Sequence, residues 1–223
     1  MINLVWTLIL ILTYSRITFA TLLGALSTQG GTPPSEGVHD GFYYYWWTDG
    51  GANGTYTNKA DGQFSIEWGT GGNLLGGKGW RPGTPNRIIN YSATLATTGN
   101  SYLSVYGWTQ SPLVEYYVLD NYGTYNPTSA TTIRGNITVD GSVYDILANT
   151  RVLMTPINGT GILRQYWSVR RDRRSSGSVN LGAHFRAWEE LGMKVGTHTW
   201  QIVACEGYFS TGTCNVTVAL DNS

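Results

Sequence analysis

Residues 104–120, SVYGWTQSPLVEYYVLD, decide the fold. Side chains along a strand alternate between its two faces, so this stretch sets Glu115 and Tyr117 on one face and Val114, Tyr116 and Val118 on the other. Just upstream, Tyr102, Ser104, Tyr106 and Trp108 share a face, with Leu103 and Val105 opposite. A single carboxylate therefore stands in an aromatic wall. Sugar rings lie flat on aromatic faces while their hydroxyls take hydrogen bonds at the rims, so such a wall suits a carbohydrate. Taken alone, the segment also reads as a sheet core with one stray acid.

A second carboxylate in similar surroundings changes the balance. Residues 200–208, WQIVACEGY, place Trp200, Ile202, Ala204, Glu206 and Tyr208 on one face of a strand. Glu206 lies 91 residues beyond Glu115 (206 minus 115), far enough for a sheet to bring the two acids face to face across a groove. Paired carboxylates flanking a glycosidic bond are what glycosidases require.

The segments YGWTQSPLVEYYV (106–118), ACEGYFSTG (204–212), QYWSVRR (165–171) and GGKGW (76–80) resemble glycoside hydrolase family 11, the small secreted endo-1,4-beta-xylanases, over roughly residues 43–218. That resemblance implies hydrolysis of internal beta-1,4-xylosidic bonds of xylan with retention of configuration, and no cofactor. It makes Glu115 the nucleophile and Glu206 the acid first and the base second. Tyr106 and Tyr117 match tyrosines that contact the nucleophile and the nearest sugar, and Trp47 matches the tryptophan that stacks on the sugar beyond. Arg151 and Gln165 match groups that hydrogen-bond near the nucleophile and substrate. Asn73 occupies the position that pairs with the acid/base, where an amide implies a mildly acidic to neutral optimum. Pro156, in VLMTPINGTG (152–161), would belong to a mobile thumb loop over the cleft. Trp200 stands where the family more often has Tyr, which removes one hydroxyl donor.

Composition agrees with a turn-rich β protein. Gly 29, Tyr 15 and Trp 9 are high counts, and charged residues are only 13%, about half the usual share. The 223 residues are long enough for one domain with a sizeable core. A formal net charge of zero gives nothing to attract nucleic acid or an anionic membrane, so a neutral polymer is the more natural partner of what is expected to be a monomer. Residues 1–20 hold the apolar run 4–12 and end in Ala20, the pattern of a signal peptide, and the run is too short to span a bilayer. Secretion to the extracellular space is expected. Export makes a disulfide permissible for the only two cysteines, Cys205 and Cys214, which flank a tight turn near Phe209; two buried free thiols are the alternative. Sequons occur at Asn53, Asn90, Asn136, Asn158 and Asn215.

In chain order, residues 21–36 read as a flexible entry segment and residues 37–223 as a single catalytic domain. Strands are predicted over 42–47, 63–68, 87–91, 101–108, 113–120, 131–139, 142–153, 162–170, 194–205 and 213–220. Residues 180–192 alone carry helical spacing, with Asn180 as cap and Gly192 as stop. One helix among about a dozen strands fits an all-β, two-sheet jelly-roll sandwich with a single α-helix packed on its back and a deep cleft. The run RRDRR at 170–174 reads as a solvated cluster. His39, His184 and His198 show no metal-ligand spacing, so no metal is assigned.

Two other readings share these features. A noncatalytic carbohydrate-binding jelly roll would need aromatic surfaces but neither glutamate, and a related endoglucanase acting on cellulose would use two. A third, a secreted structural or elicitor-like surface protein, is compatible with enzymatic activity and leaves no readable trace.

Overall fold

The computed structural model describes residues 30–155 and 159–219. Its strands are β1 (Ser35–His39), β2 (Phe42–Thr48), β3 (Thr55–Asn58), β4 (Gln63–Trp68), β5 (Asn73–Trp80), β6 (Ile88–Gln110), β7 (Val114–Tyr122), β8 (Ile133–Val139), β9 (Ser142–Thr155), β10 (Gly159–Arg170), β11 (Ser176–Asn180) and β12 (Thr197–Val218). A 3-10 turn at Pro127–Ser129 and one helix, α1 (Leu181–Glu190), complete the described residues.

The strands hydrogen-bond in the order β1-β2-β5-β12-β6-β7-β10-β9-β8, with β11 added to β6 and the β3-β4 pair added to β12. All pairings are antiparallel except β7 with β10. Two strands organise the rest. Over Gln201–Tyr208, β12 pairs with β5, and over Gly212–Thr217 it pairs with β4, while β6 runs beside it throughout. The register shift between Tyr208 and Thr211 marks the bend where β12 passes from one layer of the jelly roll to the other.

Alternation along the strands sorts the side chains. Leu103, Val105, Val114, Tyr116, Val118, Val203 and Cys205 point between the layers into the main core. Their neighbours Tyr102, Tyr106, Tyr117, Leu119, Ile202 and Ala204 form a second cluster on the concave outer face. The helix lies on the back. Its cap is the predicted one, with the Asn180 side chain accepting from the Ala183 N–H at 3.2 Å, and Leu181, Phe185 and Trp188 are buried.

Several expectations change in detail. The segments predicted at 87–91 and 101–108 are one strand of 23 residues, and those at 194–205 and 213–220 are one of 22. The intervening SATLATTGN alternates between exposed and half-buried positions, and its inward residues Ala93, Leu95 and Thr97 are too small or polar to signal a strand. Short β3 and β11, with sequences TYTN and SGSVN, each bury one apolar side chain, Tyr56 and Val179, too few to show a period. Ordering also starts ahead of the boundary at Gly37: the Trp46 indole donates to the Thr32 carbonyl at 2.8 Å, and β1 begins at Ser35.

RRDRR is not a solvated cluster. Arg171, Asp172 and Arg173 face water, but Arg170 is buried and Arg174 nearly so. Asp120, only 1% exposed, accepts from Tyr91 and Tyr144 hydroxyls at 2.6 Å each and from Arg174 Nε at 2.8 Å. Arg170 donates to the Tyr144 hydroxyl at 2.9 Å. A buried carboxylate needs this kind of partnering, which ties β6, β7, β9 and the β10-β11 link together beneath the helix.

Candidate active site

The concave face encloses a cleft of about 780 Å³ whose walls are aromatic and whose floor carries both glutamates. Glu115 comes from β7, opposite Trp108 of β6; Glu206 comes from β12, opposite Tyr102 of β6. Those two β6 positions are six residues apart (108 minus 102), about 20 Å along a flat strand. The acids nevertheless feel each other: after burial, the charge of Glu115 is the next cause that raises the Glu206 carboxyl. The Tyr117 hydroxyl lies in the same cleft and donates to Glu115 Oε1 at 3.0 Å. Only a strongly curled sheet brings such distant positions to facing walls.

The two carboxyls differ in their surroundings. Glu115 accepts three hydrogen bonds: Tyr106 Oη to Oε1 at 2.6 Å, Tyr117 Oη to Oε1 at 3.0 Å, and Gln165 Nε2 to Oε2 at 2.5 Å. The Trp108 indole donates in turn to the Tyr106 hydroxyl at 2.8 Å, which aims the latter's proton at the carboxylate. Burial, with the nearby negative charges, holds both tyrosine hydroxyls well above their usual pKa and so keeps them protonated donors. Glu206 has no such shell, and its Oε2 is buried without a partner. Burial first, then the charge of Glu115, push its pKa up to about 8, against the opposing pull of Arg151 and Tyr117. One acid is thus fitted to carry charge among donors, the other to hold a proton near neutrality.

A family model, Glycosyl hydrolases family 11, matches residues 39–217. The chain belongs to glycosyl hydrolases family 11. It is 57% identical over 193 residues to "Endo-1,4-beta-xylanase 4" of Pyricularia oryzae, covering 86% of this chain and 83% of the relative. It is 55% identical to "Endo-1,4-beta-xylanase" of Thermomyces lanuginosus, with 84% of each chain covered, and 54% identical to "Ethylene-inducing xylanase 3" of Verticillium longisporum, covering 87% of this chain and 67% of that one.

In this family 11 chain, most of the residues singled out from sequence meet in one place. Trp47, Asn73, Tyr106, Tyr117, Arg151 and Gln165 line the cleft together with both glutamates. Trp47 is 38% exposed, unusual for an indole, and is available to a ring. Asn73 lies opposite Tyr208, two residues from Glu206 on β12, and its Oδ1 is likewise buried without a partner. Trp200 stands behind the lining, stacked on Tyr45 at 4.9 Å between ring centres and packed on Tyr106 at 5.5 Å. Pro156 lies outside the described residues. Cys205 and Cys214 are bridged. Among the described residues no group of three His, Cys, Asp or Glu side chains is placed to hold a metal ion.

Sequence reasoning missed Tyr45, Asn149, Trp167 and Tyr125, which also line the cleft. Two of these carried a signal. Tyr45 shares the period-two face of Trp47 on β2, and Trp167 shares that of Gln165 on β10, where it stacks on Tyr117 at 3.7 Å. Asn149 and Tyr125 are placed by the pairing of β9 and by a loop, which no local pattern specifies.

Proposed function

We propose that this chain is a secreted, monomeric endo-1,4-beta-xylanase that cleaves internal xylosidic bonds with retention, through one catalytic domain that takes in β1 and the contact of Thr32 with Trp46. The observation that carries the chemistry is the asymmetric, coupled pair in the cleft: Glu115 among three donors and Glu206 at about 8. Xylan as substrate is supported by the names of the relatives, and secretion by the apolar run at 4–12. Among the described residues no helix is long and apolar enough to cross a membrane.

In the first step an oxygen of ionised Glu115 attacks the anomeric carbon, forming a glycosyl ester. The bond to the departing oxygen breaks as that oxygen takes the proton of Glu206. Glu115 is now neutral, so the repulsion that helped to hold the proton on Glu206 vanishes and its pKa falls. The Glu206 carboxylate then removes a proton from water, the resulting nucleophile attacks the same carbon, and Glu115 leaves as carboxylate. Two inversions give net retention. Trp47 supplies the flat apolar face for one sugar, Gln165 orients Glu115, and Arg151 and Asn73 border Glu206. Trp200 acts by backing Tyr45.

Reducing-sugar release from xylan and from carboxymethyl cellulose tests this reading, with Glu115→Gln and Glu206→Gln alongside. Xylan is expected to be preferred, and each substitution to reduce turnover by roughly 100- to 10,000-fold. Near-native activity in either variant, or preference for cellulose, would overturn it. Following the anomeric signals of the first products by NMR decides retention.

A further inference from the structure

Glu206 sits inside a covalent ring. The bridge joins Cys205 and Cys214, nine positions apart, and the residues between them include Glu206, Tyr208 and Phe209. A straight strand would separate the two Cα atoms by about 30 Å, whereas here they lie 6.5 Å apart, because this is where β12 bends between layers.

Both half-cystines are fully buried in the main core, on the side of β12 away from the cleft. The inside of the bend is filled by Trp68. A Cβ on Gly207 would come within 2.5 Å of the Trp68 indole nitrogen, and one on Gly212 within 2.7 Å of its ring, so glycine at both positions lets the indole enter. That nitrogen donates to Ser210 Oγ at 3.1 Å. The bend is therefore fixed from the core side by a covalent strut and an aromatic wedge, while Glu206 and Tyr208 from the same segment project into the cleft.

Set against this is the carboxyl itself. Glu115 is located by three side-chain donors from β6, β7 and β10, but Glu206 Oε2 has no partner. Its position depends on the backbone that carries it. We propose that the Cys205–Cys214 bridge is a positioning element for the proton donor: it holds the β12 bend so that Glu206 meets the departing oxygen. Proton transfer is sensitive to placement, and an error near 1 Å can cost about 100-fold. This inference rests on the assignment of Glu206 as the acid.

The experiment compares Cys205→Ala/Cys214→Ala with the parent enzyme on two aryl beta-xylobiosides. Phenol is a poor leaving group that needs a proton, whereas 2,4-dinitrophenol departs without one. We read kcat/KM, which reports bond cleavage, and use Glu206→Gln as the reference. In the bridge variant the phenyl substrate is expected to lose about tenfold or more, with the dinitrophenyl substrate within about twofold of the parent. A purely structural bridge would lower both alike, or neither, and either result overturns the proposal. If Glu206→Gln itself shows no leaving-group selectivity, the assignment of the acid fails instead. Should the alanine pair be unfolded by circular dichroism, Cys205→Val/Cys214→Ala, which refills the volume of the sulfurs without a bond, gives the same comparison. Unfolding of both preparations would mean that the bridge serves the whole fold, and would likewise overturn the proposal.

Discussion

Replacing Glu206 by glutamine is expected to stabilise the protein at alkaline pH, by an amount set by the buried acid. Burial and the charge of Glu115 raise this carboxyl from 4.5 to about 8. The unfolded chain releases the same proton near the ordinary carboxyl value. Between those limits the folded state binds more protons, so stability is full below about pH 4.5 and is lost as pH rises through about 8. The interval is 3.5 pH units (8 minus 4.5), each equivalent to about 1.4 kcal/mol. Cleft water reaches part of the side chain, which brings the loss at about pH 9 to the order of 4 kcal/mol. Glutamine keeps the shape of the protonated acid and cannot ionise, so the variant escapes the loss. For a domain of this size that corresponds to a melting temperature higher by roughly 8 to 16 °C at about pH 9. Thermal unfolding followed by circular dichroism, on both proteins at about pH 4 and about pH 9, measures it. Curves that nearly coincide in acid and separate in alkali are expected. An equal gap at both pH values would refute the reasoning, since a packing effect has no such dependence.

Three further outcomes follow from the same geometry. Glu115→Gln removes the second-ranked cause of the raised Glu206 value, so the Glu206 carboxyl resonance should titrate lower by roughly 1 to 2 pH units, and an unmoved midpoint would show that burial acts alone. Asn73→Asp places a second carboxyl beside Glu206; the pair should titrate in two separated steps, moving the pH optimum of kcat/KM toward acid, and an unchanged pH profile would dissociate the two residues. Asp120→Ala strands Arg174 and two tyrosine hydroxyls in the interior and should cost about 3 to 5 kcal/mol in urea unfolding, with the pH profile unchanged.

What could be read from the chain was governed by period two. The faces assigned to Glu115 and Glu206 are those observed, because Val114, Tyr116, Val118 and Cys205 had to be buried and left their neighbours to the cleft. The helix was legible from its cap and from Phe185 and Trp188. Where the inward face is small and only half-buried, as at residues 92–100 with Ala93, Leu95 and Thr97, alternation is faint in the sequence and the strand is invisible until its partners are known. Arg170 and Arg174 misled for a related reason. A charge run looks solvated unless its counterpart, here Asp120, 54 residues before Arg174 (174 minus 120), is known to be underneath. The curl that unites the acids is a property of paired strands and has no local signature.

The shared passage of β6 and β12 through both layers has a mechanical consequence. Among the described residues no seam runs between the layers along which one could slide or swing past the other. The part of the cleft that β6 and β12 form is therefore built into continuous backbone, and repainting that wall by substitution alters what is gripped without moving the wall itself.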